Sequence, residues 1–132
     1  MRQKGFATLE VILMVMVIGI LASIAVPRFS VVTAAANTAK IQSDLSTIDT
    51  AIAIYYMEKG EYPTDIVSDL GDYLQDVDSL KPPTGNAYVN GTLTSISDTN
   101  YSIQAGTGTE EARAILDGNT AGEFTNKEKN NT

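Results

Sequence analysis

The spacing of apolar residues divides the chain into three stretches. From Phe6 to Val26 apolar side chains follow one another almost without interruption, over 21 residues in which Glu10 alone carries a charge. A run this unbroken has no polar face, so it predicts a helix with apolar surroundings on every side. At ~1.5 Å per residue it reaches about 31 Å, close to the ~30 Å hydrocarbon core of a bilayer. From Ile41 the pattern becomes periodic. Ile41, Leu45, Ile48, Ile52 and Tyr55 recur every three or four residues, as one stripe of an α-helix does, while Lys40, Ser43, Asp44, Ser46, Asp49 and Thr50 fall largely on the other faces. One helix is therefore expected from Phe6 to about Lys59. Gly60 stops it, because glycine accepts the left-handed backbone that closes a helix and the Lys59 cation suits the C-terminal end.

Beyond Gly60 the pieces shorten. Thr64 or Asp65 is placed to cap a short helix through Ile66, Leu70, Tyr73 and Leu74. A loop from Lys81 to Tyr88 follows. Strand-like pieces then lie near Tyr88–Val89, Thr92–Ser97, Tyr101–Ala105 and Ala112–Leu116, with Asn90-Gly91 and Ser97-Asp98-Thr99-Asn100 as turns between them. The expected fold class is α+β, a long N-terminal helix packed through its amphipathic half on a small antiparallel sheet of three to four strands.

Glu10 is the residue that most needs an explanation. A carboxylate at the centre of a bilayer costs about 2.5–3.5 kcal/mol on insertion scales, less near the interface, so it calls for a partner or a purpose. In front of it stands a short polar segment, Met1-Arg2-Gln3-Lys4-Gly5, with two cations. Lys4-Gly5-Phe6 followed by Glu10 resembles the class III signal of type IV pilins and the related type II secretion pseudopilins. The resemblance is specific over residues 4–29, with Gly19 and Pro27 as further matches, and looser through Gly60-Glu61-Tyr62-Pro63-Thr64.

That resemblance implies a maturation pathway. A prepilin peptidase would cut between Gly5 and Phe6 and N-methylate the new Phe6 amine. An α-amino group has an ordinary pKa near ~7.7–8.0 and is largely cationic at neutral pH, so pairing it with Glu10 of a neighbouring subunit would offset part of the cost of desolvating both. The resemblance also implies a type IV pilin fold and a homopolymer, with an inner-membrane platform and assembly ATPase as partners and the lipid bilayer as host before assembly. The implied location is the cytoplasmic membrane, N-terminus inside, and then an extracytoplasmic filament. In filaments of the family the segment equivalent to Gly19–Pro27 unwinds; proline, which lacks an amide donor, would at least kink the helix. The expected divisions are a leader (1–5), a transmembrane or filament-core helix (6–29), the amphipathic half of that helix (30–60), an α+β head (61–124) and a polar tail (125–132).

Two other readings explain the same N-terminus. Arg2 and Lys4, the apolar run and Ser23-Ile24-Ala25 also make an ordinary secretory signal, cut after Ala25 to release a soluble domain. The acid at the entrance of the run and the helical period beyond the cut oppose it. An uncleaved single-span anchor is the other, again with a cytoplasmic N-terminus.

Composition narrows the functions. The net charge is −7, and residues 30–132 hold 6 Lys/Arg against 15 Asp/Glu, so no dedicated nucleic-acid surface is expected. The chain has no His and no Cys. That removes most nucleophile–base pairs and the usual zinc and iron ligand sets, and no catalysis is expected. The missing cysteines also depart from the disulfide that many pilins carry, which favours cysteine-free branches such as major pseudopilins and some Gram-positive-type or competence pilins. No cofactor is required. Asp76-Val77-Asp78 and Asp117-Gly118-Asn119 are weak candidates for Ca²⁺ through oxygen ligands, with Asp117 and Asn119 the better pair because major pseudopilins bind calcium in a C-terminal loop. A simple Asp-Gly turn explains the second better. The remaining acids read as solubility, the sequons at Asn90 and Asn130 carry little weight, and Gly106-Thr107-Gly108 lacks the spacing of a phosphate loop.

Overall fold

The computed structural model describes residues 2–128, and the side chains of residues 4–25 and 29–128. Lys129 to Thr132, with the Asn130 sequon and the end of the polar tail, lie outside the described residues, as does the side chain of Pro27. The chain forms two compact units, 1–33 and 34–132. A single helix, α1, runs from Arg2 to Lys59 and contributes to both. It starts four residues earlier than the sequence pattern suggests, because nothing in the polar leader breaks a helix. Thr8 Oγ1 donates to the Lys4 carbonyl across the Gly5–Phe6 junction, at 2.9 Å. The backbone stays helical through Gly19 and Pro27.

In the first unit every large apolar side chain from Phe6 to Ile24 is between 51 % and 71 % exposed. Burying a single such side chain is worth about 1.5–3 kcal/mol. Over this segment the total is on the order of tens of kcal/mol, far above the cost of one carboxylate, so its surface favours apolar surroundings despite Glu10, and the helix is long and apolar enough to cross a membrane. Its hydroxyls are adapted to that setting. Ser23 Oγ donates to the Ile20 carbonyl and Thr33 Oγ1 to that of Phe29, so neither needs water.

In the second unit the expected stripe is the core. Ile41, Leu45, Ile48 and Ile52 are 2 % exposed or less, and pack with Leu70, Ala87, Ala114, Leu116 and Phe124. Gly60 closes α1 with φ +77°, its amide bonded to the Tyr56 carbonyl. A five-residue helix, α2 (Ile66–Leu70), is capped by Asp65, whose carboxylate accepts from the Ser68 amide at 2.8 Å. Four strands follow: β1 (Asn86–Val89), β2 (Thr92–Ser95), β3 (Ser102–Gln104) and β4 (Arg113–Ile115). They form two separate antiparallel pairs, β1–β2 and β3–β4, where the pattern suggested one sheet. The reason lies just past β2, where the amides of Ser97 and Asp98 donate to the Asp117 carboxylate and are unavailable to a ladder. The β1–β2 hairpin turns at Asn90-Gly91, both with positive φ, as expected for a tight two-residue connection.

Candidate assembly site

Glu10 lies one helical turn beyond Phe6, on the same face of α1, since residues four apart stack along a helix. It is exposed and stands at the head of a shallow apolar hollow formed by Leu13, Met14, Val17 and Ile18. Among the described residues the ion pairs are Lys40–Asp44 and Arg113–Asp49, and neither involves Glu10. Gly5 meets nothing within 4 Å of where a side chain would begin, so the junction with Phe6 is open to an approaching molecule. The helix thus places Gly5, Phe6 and Glu10 near the start of α1, at the head of its exposed apolar stretch.

The head is held on α1 by polar side chains, two of which, Asp44 and Asp49, the sequence pattern placed on the outer faces. Asn37 Nδ2 donates to the carbonyls of Thr84 and Asn86, at 3.2 and 2.9 Å. Thr38 Oγ1 accepts from the Tyr88 amide at 2.8 Å and donates to the Ala34 carbonyl. Asp44 accepts from the Tyr101 hydroxyl at 2.6 Å, and Asp49 accepts from the Ala114 amide at 2.7 Å while pairing with Arg113. Their side chains are only 15 % and 19 % exposed. One helix therefore holds β1, the approach to β3 and β4, supplying acceptors for the Tyr88 and Ala114 amides and the Tyr101 hydroxyl and a donor for the Thr84 and Asn86 carbonyls. Burial, then the hydrogen bond to Asp44, pushes the Tyr101 phenol well above its ordinary range, so it remains a donor. The only available signal was position: Thr38 and Asp49 flank the apolar stripe by three or four residues.

Asp117 and Asn119, the weak calcium candidates, form a turn. Asp117 and Gly118 have φ of +49° and +77°, and Leu116 and Asn119 exchange both backbone hydrogen bonds. The Asp117 carboxylate accepts from the Ser97 amide and hydroxyl and from the Asp98 amide, at 2.9, 2.6 and 2.8 Å. Asn119 Nδ2 donates to the Asp117 carbonyl. Burial alone would raise the Asp117 carboxyl, but the hydrogen bonds from Ser97 and Asp98 outweigh it and hold it below the usual carboxylate range. The Ser68 amide does the same for Asp65, and the amides of Thr64 and Asp65 for Asp69. Carboxyls depressed in the folded state add stability above their unfolded pKa of about 3.9, and that stability is lost as the pH falls through the folded values. The solubilised chain is therefore expected to melt at lower temperature as pH drops below about 4, followed by tyrosine near-ultraviolet circular dichroism. Asp117→Ala leaves two amides and a hydroxyl without their acceptor and should cost about 1–3 kcal/mol at neutral pH. An unchanged melting temperature would contradict a stabilising role for the Asp117 hydrogen bonds.

Comparison with known proteins places these features. Over 63 residues, 48 % of this chain, the sequence is 35 % identical to type II secretion system core protein G of Klebsiella pneumoniae. It is 39 % identical over 64 residues to the type IV narrow pilus major component of Thermus thermophilus. It is 28 % identical over 116 residues, 88 % of the chain, to the type IV major pilin of Myxococcus xanthus. The chain is similar to type IV pilins and to type II secretion core protein G over these stretches. The matches span about half the length of these relatives, 45 %, 55 % and 44 % respectively. No protein-family model and no solved structure matches the chain. The long helix with an α+β head is the architecture that the class III signal implied.

Proposed function

We propose that this chain is a structural subunit, made as a prepilin and polymerised through its N-terminal helix into an extracytoplasmic filament. It inserts with a cytoplasmic N-terminus, and a prepilin peptidase cuts between Gly5 and Phe6 and methylates the Phe6 amine. A platform and an assembly ATPase then move it from the bilayer into the fibre. The observation that carries this reading is the exposed apolar segment of α1, with Glu10 as its single charge from Phe6 to Val26. Such a surface needs a lipid or a protein neighbour on every side. Copies of the same chain supply both that cover and a Phe6 amine to pair with Glu10. The freed amine of one subunit against Glu10 of the next fixes axial register. Between Gly19 and Pro27 the helix loosens on assembly.

No catalysis and no cofactor enter this account, and the Asp117 loop is read as a hydrogen-bonded closure. A second reading has its own support in the relatives named type II secretion system core protein G, and makes the chain a major pseudopilin acting in quantity beneath an outer-membrane channel. The longer match to the Myxococcus xanthus pilin, which extends through the head, favours the pilus. Deleting the chain separates the two: a pilus subunit removes surface fibres, a pseudopilin stops export of secreted proteins.

The processing step has a direct test. Gly5→Leu is expected to leave the precursor at full length, seen by intact mass, and to yield no filaments. Normal shortening of that variant would remove the assigned junction.

A further inference from the structure

The Asn90-Gly91 turn carries a chemistry that has no part in assembly. Asn-Gly occurs once in the chain, and it is the pair most open to attack on its own side chain, because glycine puts no Cβ beside the attacking nitrogen and leaves the backbone free to turn. In that reaction the Gly91 nitrogen gives up its proton and bonds to Asn90 Cγ, the Cγ–Nδ2 bond breaks, and the amide group leaves with that proton as ammonia. Water then opens the succinimide ring at either carbonyl, leaving aspartate or isoaspartate at position 90. The attack needs a Gly91 nitrogen free of other bonds and a backbone able to swing it towards Cγ.

The folded head withholds both. A strap, residues 120–128, crosses the turn: the Asn90 amide donates to the Glu123 carbonyl at 2.8 Å and the Gly91 amide to the Thr125 carbonyl at 2.9 Å. Glu128 follows so closely that a Cβ on Gly91 would stand 2.8 Å from its backbone nitrogen. Asn90 and Gly91 are held at φ +47° and +83°, in the left-handed region. The strap is itself fixed at two points. Phe124 is 2 % exposed in the core, and the Glu123 carboxylate accepts from the Thr120 amide at 2.8 Å and from its hydroxyl at 3.2 Å. Asn90 Oδ1 is buried and has no hydrogen-bond partner. A neutral amide oxygen bears that at modest cost, whereas a carboxylate in its place would be a buried charge without a partner. Isoaspartate would also add a methylene to the main chain within the turn.

We propose that Asn90 is a spontaneous deamidation site governed by the strap: protected while residues 120–128 are docked, converted when they lift, and unable to accept them back once converted. Local opening of a terminal segment, short of global unfolding, is enough to expose it. Full-length chain in detergent, held at mildly alkaline pH below its melting temperature and mapped by peptide mass, tests this. Wild type is expected to keep Asn90 as the amide far longer than the same chain in urea. Phe124→Ala and Glu123→Ala free the strap and should convert Asn90 several-fold faster than wild type, while Glu123→Gln keeps the acceptor and should stay near wild type. Should Phe124→Ala not accumulate, the Glu123 pair decides. Leu70→Ala weakens the core at α2 instead of the strap. It should convert Asn90 more slowly than the strap variants at the same distance below melting. Asn90→Asp, the product, should speed deuterium uptake in residues 120–128, and Asn90→Gly should not. Wild-type conversion as fast as in urea, strap variants no faster than Leu70→Ala, or an Asn90→Asp chain as protected as wild type would overturn the assignment.

Discussion

Replacing Glu10 by alanine or valine is expected to leave the chain inserted in the membrane and to abolish its filaments. The substitution removes a charge from an apolar segment, so insertion becomes easier by up to about 2.5–3.5 kcal/mol. Assembly is affected in the opposite sense. Each subunit that enters the fibre then buries a Phe6 amine without its carboxylate, and removing one partner of a desolvated charge pair costs about 2–5 kcal/mol. At 1.4 kcal/mol per decade, filament yield should fall at least about tenfold. Sheared surface fractions and membrane fractions, probed side by side, check both halves. Abundant filaments from both variants would leave Glu10 without its role.

The second large effect lies in the head. Ile48 is fully buried at the centre of the stripe that carries β4 and Phe124, and Ile48→Ala is expected to cost about 2–5 kcal/mol. Small domains have only about 5–15 kcal/mol in total, so this variant should melt tens of degrees lower or fail to accumulate. Leu93→Ala is the control. Leu93 is 49 % exposed on β2, and its loss should stay within about 0.5 kcal/mol. Equal melting temperatures for the two variants would mean that the stripe is not the core.

These contrasts show which parts of the molecule could be read from residues. The apolar run, the stripe from Ile41 to Tyr55, the stop at Gly60, the Asp65 cap and the Asn90-Gly91 turn are local, each decided by spacing or by backbone conformation within a few residues. What escaped was non-local. Asp44 and Asp49 read as solvent-facing because their partners, Tyr101 and Ala114, lie 57 and 65 residues away. The division of four strands into two pairs depends on Asp117, 20 residues beyond Ser97, taking backbone donors that would otherwise extend a sheet. Of the candidate site, Glu10 stood out as an isolated acid in an apolar run, whereas Gly5 and Phe6 came only from the resemblance to the class III signal. The strap over Asn90-Gly91 was not evident, since Glu123 and Thr125 reach the turn only through the fold.

The account stands on a mature chain whose first residue is Phe6, because only that cut creates the cation that Glu10 answers. Intact and N-terminal mass spectrometry of the assembled or exported protein measures this directly. The expected result is a chain beginning at Phe6 with one methyl group on its amine. A chain beginning at Val26, or one that still carries Met1 to Gly5, would contradict it.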